Sequence, residues 1–361
     1  MGQVWAEVRF HWKKYLLIEL LIVLMMYMVV FLTGLAGGLA EQSSGVLEAM
    51  PAEAFVLSED AKGLLADSSI SQDQKQQVEE ELDRETIPFS VERSAMAPKD
   101  SEDKLDVVYL AVEADSELVP EILSGSGLKA TENGVLLSQS FEEEGLEVGD
   151  VVKDRKSELE LKVVGFVPSQ SYTFAPVAYI TAETLTAMKT AQNPAYQESV
   201  QALALLEKPG QVTIKDLSLL SRGDLIGNVP GYTAQQLTIN LISIVLLVVS
   251  AAILGIFFYI ISLQKRQQFG IMRAVGLSSG EIIGQQFLQG FFLALVGVLM
   301  GNGLALLTMS LLPDKVPVAV DLTSSIIASA SFVGMAILSI LISCLQILKI
   351  DPVKIIGGGE A

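Results

Sequence analysis

The 361-residue chain predicts an α-helical membrane protein, with four transmembrane helices and an extracytoplasmic α+β domain inserted between the first and second. Three observations predict it. Half of the residues are hydrophobic and only 18% are charged, yet the net charge is −18. That charge is confined: residues 40–237 hold 35 Asp and Glu against 15 Lys and Arg, whereas the rest of the chain has 7 acids and 9 bases. Four apolar runs frame the acidic stretch, each reaching the roughly 20 residues that cross a bilayer as a helix.

In chain order, residues 1–14 predict an interfacial helix, because Trp5, Val8, Trp12 and Tyr15 recur at helical spacing opposite Glu7 and Arg9. The spans follow at 15–39, 238–263, 282–310 and 325–348, and the first run is too long and lacks the cleavage pattern of a signal peptide. Arg9, Lys13 and Lys14 precede span one, Lys265, Arg266 and Arg273 lie between spans two and three, and Lys349 and Lys354 follow span four. The positive-inside rule places all three clusters in the cytoplasm. Both termini and the 264–281 loop are then inside, and residues 40–237 and the short loop 311–324 are outside. Gly297 and Gly301, extended by Gly290 and Gly303, predict close helix packing along span three. Glu19 stands out in span one, where an acid costs a few kcal/mol unless Lys14 or a neighbouring helix pairs with it.

Within 40–237, Asp73–Arg84 is charged and free of Pro and Gly, which predicts a surface helix. Leu105–Val112, Val135–Ser138, Leu159–Val167 and Val177–Thr181 are short, β-branched and bounded by turn residues, which predicts strands. The run from Gly134 to Val167 predicts strand, short helix, a Gly149-Asp150 turn and a hairpin whose second strand ends at Gly165.

Several functions are excluded at this level. The acidic balance leaves no basic patch to displace counterions from nucleic acid, and no G-x-x-x-x-G-K-[ST] occurs, so the chain has no P-loop for ATP. One cysteine, Cys344, and one histidine, His11, exclude an internal disulfide and a His-rich metal centre within one chain. No nucleophile elbow or paired acid and base predicts catalysis in the acidic stretch; its acids predict a solvated face.

The sharpest motif is Phe269-Gly-Ile-Met-Arg-Ala-Val-Gly-Leu-Ser-Ser-Gly-Glu-Ile between spans two and three. A helical turn here, with Gly270 and Gly276 freeing the chain at either end, can dock into a groove on a cytoplasmic partner. The motif is similar to the signature of FtsX/MacB-family ABC transporter permeases. Leu348-Lys-Ile-Asp-Pro-Val resembles their closing segment, and Gly145-Leu-Glu-Val-Gly-Asp with Val163-Val-Gly-Phe-Val resembles their MacB-like outer domain. The resemblance implies a permease homodimer in the cell membrane that binds a separate ATPase subunit through Phe269, Gly270, Ile271, Arg273 and Gly276. ATP is then bound and hydrolysed by the partner, and this chain is not itself an enzyme.

Phe31-Leu-Thr-Gly-Leu-Ala-Gly-Gly-Leu, Gly227-Asn-Val-Pro-Gly-Tyr and the tail Ile355-Ile-Gly-Gly-Gly-Glu resemble the haem-efflux branch of that family in Gram-positive bacteria. That resemblance implies haem as the exported substrate, collected from membrane lipid, and an HrtA-like ATPase as partner. Ferric haem takes His, Met, Cys or Tyr as axial ligand. His11 falls on the cytoplasmic side and Cys344 near the inner end of span four, which leaves Tyr172, Tyr232, Met25, Met26 and Met28 as candidates. Each has a plainer reading, the tyrosines as interfacial anchors and the methionines as core filler. A MacB- or LolC-like exporter of peptide, lipid or lipoprotein, and an FtsX-like regulator of a cell-wall hydrolase, remain as alternatives.

Overall fold

The structure is a computed structural model and describes residues 12–99, 103–209, 214–313, 316–319 and 321–344. The expected helix at 1–14, His11 and the 349–361 tail lie wholly or mostly outside these residues. The chain divides into two compact units, Leu39–Gln236 and a second made of Met1–Gly38 with Leu237–Ala361. The first begins and ends one residue before the acidic segment 40–237.

Among the described residues, four helices are long and apolar enough to cross a bilayer. They are α1 (Trp12–Ala49), α6 (Tyr232–Gln264), α8 (Ser279–Leu311) and α9 (Leu322–Cys344). Each of the first three exceeds its expected span, α1 by ten residues at its C-terminal end, because the apolar run continues into polar but helix-permissive sequence. Their packing rests on small residues, as expected where helices gain no hydrophobic advantage over lipid. A Cβ on Gly297 would lie 2.3 Å from Ile22 Cγ2, and one on Gly301 would lie 2.7 Å from Met26 Cβ, so this pair seats span one on span three. Gly290 plays the same part toward Ile340 and Phe258 at 2.8 and 3.0 Å. Gly303 differs from expectation: nothing lies within 4 Å of its Cβ position, because it falls off the packed stripe. At the other end of span one, Gly34 and Gly38 leave room for the 316–319 segment, whose Ala319 N–H donates to the Gly34 carbonyl at 3.0 Å.

The other unit is the α+β domain. After α1 come β1 (Ala54–Ser58), α2 (Gln72–Leu82), β2 (Ile87–Pro98), β3 (Leu105–Val112), β4 (Ser124–Gly125), β5 (Gly134–Ser138) and α3 (Ser140–Glu143). Then follow β6 (Val151–Asp154), β7 (Glu160–Val167), β8 (Ser171–Tyr172), β9 (Ala175–Thr181), α4 (Ala182–Gln192), β10 (Ala202–Leu205), β11 (Leu217–Ser221) and α5 (Arg222–Gly227). Six of the strands close a hydrogen-bonded circuit, β2-β3-β9-β5-β7-β6 and back to β2, with β3-β9 and β5-β7 parallel and the rest antiparallel. A wing of β10, β1 and β11 continues from the start of β2.

Successive residues of these strands enter two different cores, as the period of two requires. Val107, Tyr109 and Ala111 of β3, with Ala178 and Ile180 of β9, join one cluster, while Val108, Leu110, Val112, Val177 and Tyr179 join the other. Both faces are therefore apolar, which is why these strands read as unbroken hydrophobic runs. The second hairpin strand runs on to Val167 and does not stop at Gly165. That glycine instead admits β4, since a Cβ there would lie 2.4 Å from the Ser124 carbonyl oxygen.

Candidate coupling and cargo sites

The loop between spans two and three folds as α7 (Arg266–Ala274), entered through Lys265 at its N-cap. It ends at Gly276, whose φ of +106° is a left-handed conformation that glycine adopts without penalty. Two residues later, Ser278 and Glu281 form a reciprocal capping box that starts α8. The result is a short helix held between a span that ends and one that begins.

Its two faces differ. Phe269 and Gly270 are buried and Met272 packs against the membrane core cluster. Ile271 is 59% and Val275 78% exposed, one helical turn apart. Of the residues expected to couple to an ATPase, Phe269 and Gly270 thus face the helix bundle, and Ile271 with Val275 forms the outward apolar edge. Arg273 is half-buried in the last turn.

Sequence reasoning missed what anchors this helix. Lys265 Nζ donates to Gln289 Oε1 at 3.0 Å, and Gln289 Nε2 donates to the Tyr15 hydroxyl at 2.6 Å, all three residues being buried. One chain of hydrogen bonds therefore joins the entry of α7 to span three and span one. The available signal was a glutamine inside an apolar run, which needs partners in lipid. Ser262 and Ser343 join spans two and four in the same way, at 3.2 Å. Among the described residues, both carboxylate oxygens of Glu19 are buried without a hydrogen-bond partner, and the Gly297 Cβ position is 3.3 Å from Oε1; the side chain of Lys14 lies outside the described residues.

The cargo candidates divide between the units. Met26 is fully buried against Gly301, Met25 is half-buried in the same cluster, and Met28 is 43% exposed. In the α+β domain, Tyr172 and Tyr232 join one hydrophobic cluster, Tyr172 at its interior with 5% exposure and Tyr232 half-buried at its edge. Residues 171–176 form a tight hairpin between β8 and β9, and Tyr172 is buried in the core, unlike an interfacial anchor. Burial pushes the Tyr172 hydroxyl up to about 12, so at neutral pH it is a phenol, and serving as a phenolate ligand would require loss of that proton. Tyr232 opens α6 after a Pro230-Gly231 turn with Gly231 at φ +82°, and its N–H donates to the Val229 carbonyl. Cys344 is buried, and among the described residues no cluster of His, Cys, Asp and Glu could hold a metal ion.

Residues 240–352 match the family described as FtsX-like permease C-terminal. Over the full length of both chains, the sequence is 26% identical to a putative hemin transport system permease protein HrtB of Staphylococcus haemolyticus. It is 24% identical to an uncharacterized ABC transporter permease of Mycobacterium bovis, over 96% of this chain and 97% of that one. Among solved structures, the periplasmic region of MacB from Actinobacillus actinomycetemcomitans gives a TM-score of 0.33 at 8% identity, covering 50% of this chain and 94% of that one.

Proposed function

The chain is an ABC-transporter permease of the FtsX-like family, and from that premise we propose that it is the permease subunit of a haem-efflux pump. The observation that carries the reading is likeness along the whole chain, outer domain included, to a permease described for hemin transport. In this reading two copies assemble in the cell membrane with an HrtA-like ATPase, both termini are cytoplasmic and the acidic domain is extracellular. The partner binds and hydrolyses ATP; this chain makes and breaks no covalent bond.

The geometry supports a route for the force. Ile271 and Val275 present the apolar edge that an ATPase groove would hold. Movement of α7 is passed through Lys265 and Gln289 to Tyr15 on span one, and through the Gly297 and Gly301 contacts along the length of that helix. Nucleotide in the partner then biases two arrangements of the spans. Haem, a flat apolar disc with two carboxylates, enters from lipid and leaves outward, with Tyr232 at the edge of its cluster the more accessible of the two tyrosine candidates.

The test is titration of the purified full chain in nanodiscs with hemin. A saturable Soret shift, weakened several-fold in Tyr232→Phe, is expected. Absence of any shift in the wild type overturns haem as the substrate and favours the lipoprotein-exporter or hydrolase-regulator readings, with the permease assignment intact.

A further inference from the structure

A cavity of about 600 Å³ opens within the α+β domain, and its lining is unlike the rest of that domain. Residues 40–237 carry 35 acids and 15 bases. The cavity wall nevertheless holds three cations, Arg93, Lys156 and Lys189, against Glu92 and Asp67. Lys156 Nζ lies 3.0 Å from Glu92 Oε1 and Lys189 Nζ lies 2.6 Å from Glu92 Oε2, so two ammonium groups share one carboxylate. Arg93 forms no ion pair with any described residue; its Nη1 donates to the Thr173 carbonyl at 2.8 Å. A local surplus of positive charge thus persists inside a strongly acidic domain.

These cations are built into place. Asp154, fully buried at the end of β6, accepts from Ser94 Oγ, from the Lys156 and Ser157 N–H groups and from Ser157 Oγ. That fixes the turn on which Lys156 stands, and Lys156 also donates to the Arg93 carbonyl. Lys189 stands on α4, a separate element.

Beside Arg93 the lining includes apolar residues on a strained turn. Tyr172 lines the cavity, and its hydroxyl has no hydrogen-bond partner among the described residues. Thr173 and Phe174 form the two-residue loop of the β8-β9 hairpin with φ of +47° and +63°. Such loops favour Asn and Gly, and a bulky residue there is a true outlier. The turn is held by Arg93 and by N–H donation from Thr173 and Phe174 to the Ser43 and Gln42 carbonyls of α1, both at 2.9 Å. What the strain achieves is to set a 49% exposed phenyl ring on the cavity wall.

We propose that this cleft binds an apolar molecule through its carboxylate, with Arg93, Lys156 and Lys189 taking the anion and Phe174 and Tyr172 the apolar body. The shared chemistry, a carboxylate on a hydrophobic frame, can come from a porphyrin propionate or from a fatty acid. No iron is needed, so the cleft stands independently of whether haem iron is ligated elsewhere.

The test uses the full chain in nanodiscs, with empty discs subtracted, and follows fluorescence of three probes: iron-free mesoporphyrin IX, its dimethyl ester, and cis-parinaric acid. Saturable binding of at least one acid, with the ester at least ten-fold weaker, is expected. Arg93→Glu should weaken that acid ten-fold or more, whereas Lys129→Gln, which also removes a cation but outside the cleft, should not. The acid that binds identifies the source. Equal binding of acid and ester, or equal effects of the two substitutions, overturns the proposal, as does failure of both acids to bind. The ester comparison needs no variant and so survives misfolding of Arg93→Glu. A hemin Soret shift without acid binding would sink the cleft and leave haem export standing; acid binding without a Soret shift would do the reverse.

Discussion

The two units of this molecule treat apolar sequence in opposite ways. In the α+β domain, alternate residues of β3 and β9 enter two separate cores, and the large side chains Phe55, Phe89, Tyr109, Phe166 and Tyr179 are almost fully inaccessible. In the membrane unit many leucines lie outside: Leu17, Leu237, Leu241, Leu299 and Leu311 are each more than half exposed. There glycines let Ile22, Met26 and Ile340 of neighbouring helices approach closely, and serine, glutamine and lysine add hydrogen bonds between helices. Water makes hydrophobic burial the organising force of the first unit. Lipid removes that force from the second, leaving close approach and polar bonds. The same residue type is therefore structural in one unit and merely solvent-compatible in the other.

The sharpest way to test that contrast is to break the polar exception in the domain and the small-residue rule in the membrane. Asp154→Ala leaves four donors in a dry site without their acceptor. It should destabilise the domain by about 3 kcal/mol or more, read by thermal unfolding of the full chain and by loss of hydrogen-exchange protection in β2 and β6. Gly297→Val should come next, since its first carbon already meets Ile22 at 2.3 Å. A cost of about 1–3 kcal/mol is expected for such overpacking, seen as a lower melting temperature in detergent. Gly303→Val, on the open side of the same helix, should melt like the wild type. Equal effects at the two glycines would refute the packed stripe.

How far this architecture was legible follows the same division. β3 at Leu105–Val112 agrees with expectation to the residue, because Lys104 and Glu113 bound a valine-rich run that is apolar apart from Asp106. The β6-β7 hairpin was legible, but closure of six strands into a circuit was not, because the pairing of β6 with β2 joins residues far apart in sequence and leaves no local mark. The short helix α7 was legible from Gly276 and the cluster of charge before it, but its inward and outward faces were not. Phe269 and Ile271 are equally hydrophobic, and only the neighbouring spans decide which is covered. The burial of Tyr172 was not legible for a related reason: Ser-Tyr-Thr-Phe has no turn residue to announce a hairpin, and the structure forms one at the expense of backbone strain.

A third substitution probes the polar bonds of the membrane unit. Gln289→Leu removes both the acceptor for Lys265 and the donor to Tyr15. Interhelical hydrogen bonds in lipid contribute about 1 kcal/mol, so the melting shift should be smaller than for Gly297→Val. If the chain of bonds transmits motion, ATPase activity of the assembled pump should lose its response to cargo while basal hydrolysis persists. Unchanged cargo stimulation would reduce Gln289 to a packing residue.

The smallest effect belongs to Glu92, on the water-exposed side of the comparison. Burial pushes its carboxyl up, but the hydrogen bonds and charges of Lys189 and Lys156 more than offset that and hold it below the ordinary 4.5. A carboxyl whose folded value is depressed adds stability above its unfolded value, and that contribution fades as pH falls through the folded one. The melting temperature of the full chain should thus decline below about pH 4.5, with Glu92→Gln shallower on that limb and slightly less stable at neutral pH. Because both lysines lose their shared partner in that variant, carboxylate binding in the cleft should hold or tighten even as stability falls. A parallel loss of both would mean that the ion triad only supports the fold.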